Sequence, residues 1–307
     1  QEFANTSVRV QPSGDDWAIA LAGPDVAGNV VLPAEPNAPI VARLERLRLQ
    51  TGSAGRSAPA TSKQGTAELP PLDVTVADLA LRDQTLGQLE LVTRSGAAGA
   101  SLERARISGP LLELNLAGGS DRASARSHLT ATLSSRNVGK LLDALGYTDA
   151  MHGGVAQGNM NVAWDGQLLD FSLPALEGVL NLSLRNGQIL KVEPGAGRLF
   201  GLLSIGDLPR RLSLDFSDLF GKGFAYDRIE AHLQLADGNA YTRQFYMQGP
   251  AARVELDGRI GLAARDYDQR VTVTQNVSTT LPAIGAVAAG PVGAVAGFVT
   301  QKLLQNE

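Results

Sequence analysis

The 307-residue sequence predicts a mainly β fold of successive amphipathic strands, with a few short helices and a C-terminal helical segment. Three observations predict it. Apolar and polar residues alternate with period two along most of the chain, as strands with one apolar face do. Gly, Pro, Asn and Asp interrupt the alternation at short intervals, where hairpin turns need them. Helical spacing of apolar residues is confined to a few short runs.

Residues 1–50 read as the first strands. Trp17, Ile19 and Leu21 alternate, Gly23-Pro24 turns the chain, Val30 and Leu32 follow, and Leu44, Leu47 and Leu49 come after a Pro-rich run. Residues 51–71, TGSAGRSAPATSKQGTAELPP, are small, polar and rich in Pro and Gly, the composition of a flexible loop. The main β region spans 72–273. Val74 and Val76, Leu89 and Leu91, then Leu112, Leu114 and Leu116 mark its early strands, with turns at Asp83-Gln84, Ser95-Gly96, Gly109-Pro110 and Gly118-Gly119.

Around 137–145 the period changes: Val138, Leu141, Leu142 and Leu145 share one face of a short helix, and Gly146 suits its C′ position. Strands resume with Met160, Val162 and Trp164, a turn signal at Asp165-Gly166, then Leu180, Leu182 and Leu184 with a turn at Asn186-Gly187. A second short helix is expected near 197–205. Leu212, Leu214 and Phe216 then alternate with Ser213, Asp215 and Ser217. Gly221 and Gly223 turn the chain into a second alternation through Phe224, Tyr226, Ile229, Ala231, Leu233 and Leu235, so this stretch reads as a hairpin. Val254, Leu256, Ile260, Val271 and Val273 carry the last strands. Residues 274–307 form an apolar segment with a helical stripe at Val292, Val295, Ala296, Val299 and Leu303.

Three segments share a pattern of alternating strand, Gly-Pro and returning strand: WAIALAGPDVAGNVVL, RARISGPLLELNLAG and QFYMQGPAARVELDG. The last two align without gaps, Gly109-Pro110 with Gly249-Pro250 and Gly118 with Gly258. Repeated hairpins argue for a meander-like sheet built from stacked units, with each Pro opening its returning strand.

Composition excludes several function classes. The formal net charge is −4 without a basic block, and aromatics make up 5%, so nucleic acid is not a partner. There is no cysteine, hence no disulfide, thiolate metal site or cysteine nucleophile. His128, His152 and His232 lie far apart in sequence without metal-ligand spacing. Ser204 lacks the glycine that a nucleophile elbow needs, and the spacing of Gly195, Gly197 and Gly201 does not match a dinucleotide loop. Asp215, Asp218 and Asp227 border turns, where Asp is expected for local hydrogen bonding, and Lys222 reads as a turn residue. No enzyme, metal or cofactor follows.

The open question is what the shared apolar side of these strands faces. In a sandwich or barrel it would pack on itself. In one curled sheet it would line a trough, and a continuous apolar trough calls for an occupant. Acyl chains suit such a lining, each methylene gaining about 0.8 kcal/mol by burial. Alternation alone does not separate these architectures.

The run GRLFGLLSIGDLPRRLSLDFSDLFGKGFAYDRIEAHLQLADGNA, residues 197–240, resembles the C-terminal region of the large AsmA-like proteins, and GPAARVELDGRIGLAARDYDQRVTVTQ continues the likeness. The resemblance implies an elongated, curled antiparallel β-sheet forming an open hydrophobic groove. It also implies non-enzymatic phospholipid transport between the membranes of a Gram-negative envelope. This chain would be a periplasmic fragment, with an inner-membrane anchor outside it and the outer membrane met through the C-terminal segment. The acyl-contacting residues would be Val74, Val76, Leu89, Leu91, Leu112, Leu114, Leu116, Met160, Val162, Leu180, Leu182, Leu184, Leu212, Leu214, Phe216, Ile229, Leu233, Leu235, Val254 and Leu256. Membrane contact would fall to Ile284, Val287, Val292, Val295, Phe298 and Val299. The alternative is a periplasmic assembly scaffold that binds outer-membrane proteins or an envelope polymer through its sheet edges.

Overall fold

Alternation of this kind, sustained strand after strand, leaves every strand with an apolar face that a neighbour must continue. In the computed structural model, which describes residues 5–35, 37–49, 69–190, 223–264 and 266–276, the strands join side by side in chain order into one open 15-stranded sheet. The first half comprises β1 (Ser7–Ser13), β2 (Asp16–Ala22), β3 (Val26–Leu32), β4 (Ile40–Leu49), β5 (Leu72–Leu81), β6 (Gln84–Gly96), β7 (Gly99–Ser108), β8 (Leu112–Asp121) and β9 (Arg126–Ser135). A single α-helix among the described residues, α1 (Val138–Ala144), separates these from β10 (Met151–Asp165), β11 (Glu177–Ile189), β12 (Phe224–Ala236), β13 (Asn239–Gln248), β14 (Ala252–Gly261) and β15 (Asp266–Gln275). The chain divides into two compact units, Gln1–Thr274 and Gln275–Glu307. The expected helix at 197–205 and the C-terminal segment from residue 277 on lie outside the described residues, while Thr274 and Gln275, expected to open that segment, end β15.

No second sheet covers the inner face among the described residues, yet Val162, Ala240 and Met247 are at most 1% exposed. The sheet therefore curls, and its inner face packs partly on itself. Burial is graded along it: β1 is exposed throughout, whereas the inner residues of β12 to β14 are almost all buried.

Helix α1 forms where the period changes. The Asn137 side chain caps it, accepting the Lys140 backbone N–H at 3.0 Å. Gly146, at φ 95°, ends it: Gly146 N–H donates to Asp143 O at 3.0 Å and Tyr147 N–H to Leu142 O at 2.9 Å, a Schellman closure. Its buried side is Val138, Gly139, Leu141 and Ala144, while Leu145 of the expected stripe stays exposed at the cap. Leu141 packs with Val76, Leu79, Leu86 and Leu112 of the earlier strands, and Val138 with Met151 and Tyr226 of the later ones. The helix thus lies on the inner side, where the two halves of the sheet meet.

Five expectations are corrected. Gly118-Gly119 is no turn: both glycines lie inside β8, paired with β7 and β9, and the strand runs on to Asp121. β4 and β5 run parallel, Ile40 beside Leu72 through Leu49 beside Leu81, so the chain must cross back between them. Asn186-Gly187 is no turn: Asn186, at φ 54°, lies inside β11 and resets its alternation, so Leu184 and Ile189 share a face. After Gly166 the chain makes two short 3-10 turns before β11, held by Trp164 Nε1 donating to Gln167 O at 2.9 Å. The predicted hairpin partner of β12 was 212–217, but both edges of β12 are occupied, by β11 and β13. Residues 212–217 lie outside the described residues.

The internal repeat is a structural one. β6, β7, β8 and β9 recur as β12, β13, β14 and β15, each displaced by 140 residues with identical bounds. The bulges recur at matching positions: Val92/Thr93 with His232/Leu233, and Leu102/Ala105 with Thr242/Phe245. In both Gly-Pro turns the glycine N–H donates back across the turn, Gly109 to Leu112 O and Gly249 to Ala252 O, each at 3.0 Å. Pro110 and Pro250 sit in the turns, two residues ahead of their strands, so neither interrupts a ladder.

Curl depends locally on close backbone approach. Gly178, at φ 140°, lies where a Cβ would come within 2.9 Å of Val162 Cα. Gly178→Ala is therefore expected to lose about 1–3 kcal/mol of stability, read as a lower denaturant midpoint.

Candidate functional site

Residues opposite one another in a ladder share a face, so the register decides what the sheet presents. One row runs Val10, Ile19, Val30, Ala42, Val74, Leu91, Ala105, Leu116, Ala131, Met160, Leu180, Leu233, each beside the next. A second runs Val8, Leu21, Gly28, Leu44, Val76, Leu89, Ile107, Leu114, Leu133, Gly158, Leu182, Ala231, Phe245, Leu256. Neither contains a polar side chain. At about 4.8 Å per strand, the first row is about 50 Å long.

All the acyl-contacting candidates within the described residues fall on this inner face. Leu212, Leu214, Phe216 and the six C-terminal membrane-contact candidates lie outside the described residues. Those described differ in access. Val76, Leu112, Val162, Leu184, Ile229, Leu233, Leu235, Val254 and Leu256 are buried, whereas Val74, Leu89, Leu91, Leu114, Leu116, Met160, Leu180 and Leu182 are half-buried. The half-buried set forms an apolar floor along the middle strands. It exposes no charge: the charged side chains of these strands point the other way.

Sequence reading missed Phe245, Met247 and Ile107 on this face. Phe245 and Met247 flank Tyr246, and the bulge between Thr242 and Phe245 shifts the alternation, so Tyr246 points outward beneath Arg228 and Arg253 at 5.8 and 5.7 Å. The matching bulge at Leu102/Ala105, read through the repeat, was the available signal.

The outer face is polar. Cross-strand ion pairs include Arg43–Asp73 at 2.9 Å, Arg104–Glu90 at 3.6 Å and Arg259–Asp266 at 2.9 Å, and Arg253–Glu255 pairs along β14 at 2.6 Å, all largely exposed. Such pairs contribute little individually, and their main effect is to keep this side wet. His232 lies here against Asn181, and His128 is exposed on the same face. Open concavities of 720, 520 and 480 Å³ dent this face; the first is mostly polar, with residues such as Asp257 and Arg270, and the other two mix polar residues such as Glu103 and Asn159 with apolar ones such as Ala117 and Leu182. No group of three His, Cys, Asp or Glu among the described residues could hold a metal. Asp227 is exposed, and Ser204, Asp215, Asp218 and Lys222 lie outside the described residues.

Two titratable groups are shifted by their surroundings in ways that bear on the groove. The hydrogen bond from Arg43, helped by its charge, holds Asp73 below the usual carboxylate range at the β4–β5 seam. Tyr226 is 2% exposed on the inner face, its hydroxyl without a partner, and burial pushes its pKa up to about 12. It fills the notch left by Gly154 and Gly187; a Cβ on Gly154 would lie 2.6 Å from the hydroxyl oxygen.

An open curled sheet with one continuous apolar face and one charged face defines a groove-forming β protein. The chain belongs to the YhdP family, whose model matches residues 1–307. It is also 24% identical to the intermembrane phospholipid transporter YhdP of Escherichia coli (strain K12), over 99% of this chain and 25% of that relative. The chain thus spans about a quarter of that protein's length. No solved structure matches it significantly. No helix among the described residues is long and apolar enough to cross a membrane.

Two outcomes follow from the shifted groups. The unfolded chain ionises tyrosine near 10 and the folded chain near 12, so stability should fall as pH rises through that window. Tyr226→Phe should remove this loss and, by deleting an unpaired buried donor, raise stability at neutral pH by about 1 kcal/mol in urea titrations. At the acid end, Asp73 has its folded pKa depressed, so its contribution is present above 3.8 and lost as pH falls below it. Asp73→Asn should flatten that part of the stability–pH curve.

Proposed function

We propose that this chain carries phospholipid, its acyl chains lying along the apolar floor of the curled sheet and its headgroups in water at the open mouth. The observation that supports this most is the unbroken apolar row from Val10 to Leu233. A row about 50 Å long exceeds the ~30 Å hydrocarbon thickness of a bilayer, so it suits a conduit better than a single-ligand pocket. The lining is aliphatic and half-buried, matching flexible chains that need burial and no directional bonds. The transporter named among its relatives supports phospholipid as cargo, and on that reading the chain works in the periplasm, between inner and outer membranes. Its chemistry is then non-enzymatic, with the groove lowering the cost of moving acyl chains through water.

Photo-crosslinking side chains placed at Leu116 and Leu180 should capture phospholipid in cells, and one at the outward Asn115 should not. Equal capture at all three positions, or none at the inner two, overturns the reading. Leu116→Glu should cut lipid transfer about tenfold or more, since a carboxylate among acyl chains costs a few kcal/mol. Co-purification of an envelope protein with no extractable lipid would instead favour a scaffold acting through the exposed edge strand β1.

A further inference from the structure

The inner face is apolar but not uniformly so. Besides Tyr226, its buried Ser and Thr side chains among the described residues are Thr93, Ser120, Ser127, Ser135 and Thr242. Four have partners within the fold. Thr93 Oγ1 donates to Pro70 O at 2.6 Å, Ser120 Oγ accepts the Ala100 N–H at 3.1 Å, Ser127 Oγ donates to Gly166 O at 2.8 Å, and Ser135 Oγ accepts the Asn137 N–H at 3.3 Å. Thr242, 2% exposed, has none: its Oγ1 is buried and unpartnered. The Nε2 of Gln269 is in the same condition.

These two orphans are neighbours in the sheet. Thr242 on β13 stands beside Gly258 on β14. Gly258, at φ 145°, lies against β15 so closely that a Cβ there would be 2.7 Å from Gln269 Cα. Gln269 shares a face with Val271 and Val273, which pack into the inner cluster. The apolar row that reaches Leu233 therefore continues as Thr242, Gly258 and Gln269: two unsatisfied polar groups flank a position with no side chain. In the repeat, the equivalents of Thr242 and Gln269 are Leu102 and Leu129, so the polar character belongs to this copy alone.

Resting on the phospholipid reading above, we propose that Thr242 and Gln269 form a polar subsite in the groove that hydrogen-bonds the ester carbonyl oxygen of a diacyl lipid. A neutral acceptor fits better than a phosphate. The nearby cations, Arg243, Arg259 and Arg270, line the concavity of the outer face, which Thr242 and Gly258 also border, whereas the Thr242 Oγ1 itself is buried without a partner. An ester carbonyl sits at the head of an acyl chain, with hydrocarbon on one side, as these groups have Leu233 and Val271. A buried hydroxyl or amide without a partner is costly, and an arriving acceptor relieves that cost. Both polar atoms are closed to solvent here, so the carbonyl reaches them from the groove as the covering side chains part around an acyl chain.

The test compares lipids that differ only at the carbonyl. The purified 307-residue chain is incubated with vesicles of equal parts diester and diether phosphatidylethanolamine of matched chain length, and bound lipid is extracted and quantified by mass spectrometry. Wild type should carry the diester about three- to tenfold over the diether, the preference one or two neutral hydrogen bonds supply. Thr242→Val with Gln269→Leu should load both equally, while Thr242→Ser should keep the preference. Equal loading by wild type, which needs no variant to fold, overturns the subsite and leaves an ordered water as the partner of these groups. A preference that survives in the double variant also overturns it. Recovery of neither lipid by wild type removes the phospholipid reading itself, and the subsite with it.

Discussion

The structure depends on register held across fifteen strands. Side chains alternate with period two, so a slip of one residue in any ladder would turn that strand's leucines to water and its arginines inward. Because strands pair in chain order, mostly through short hairpins, each register is set locally by a turn. The continuity of the apolar rows is then the sum of many local decisions. The bulges at Val92/Thr93, Leu102/Ala105 and their copies are where that sum is corrected, each returning the alternation to phase after an extra residue.

A single sheet with one apolar face cannot stay flat in water, because nothing covers that face. Curling covers it in part. In the later strands the larger inner residues exclude solvent, Phe245 and Met247 in one cluster and Trp164 in another, and α1 fills the junction with Val138 and Leu141. In the middle strands the lining is Leu and Ala, and the floor remains half open. The same alternation thus yields a packed core in one half and an accessible groove in the other, according to side-chain volume and the covering helix. The outer face needs no such cover: its ion pairs add little energy but define which side stays in water.

Much of this was legible in the residues. The strands around Leu112 to Leu116, Met160 to Trp164 and Leu180 to Leu184, the helix at Val138 and its Gly146 stop, and the Gly-Pro repeat all follow from period, caps and turns, which are local. The readings that failed concern positions where local chemistry has two outcomes. Asn186-Gly187 carries turn residues, yet the flanking strands hold Asn186 in a left-handed conformation within β11. Phe224 to Leu235 has the look of a hairpin arm, but its partners were set by strands on either side. Phe245 was hidden because a bulge puts it out of phase with the run around it.

Sequence by itself determined that the chain is β, which face of most strands is apolar, and that no cysteine or basic-patch chemistry is present, because these rest on neighbours within a few residues. Only the tertiary structure decided that the apolar faces make one open curled floor and not two packed layers, that β4 and β5 run parallel, and that Thr242 and Gln269 stand unpaired on either side of Gly258. Those outcomes depend on which distant strands pair and on how far the sheet bends, and residues remote in sequence settle both together.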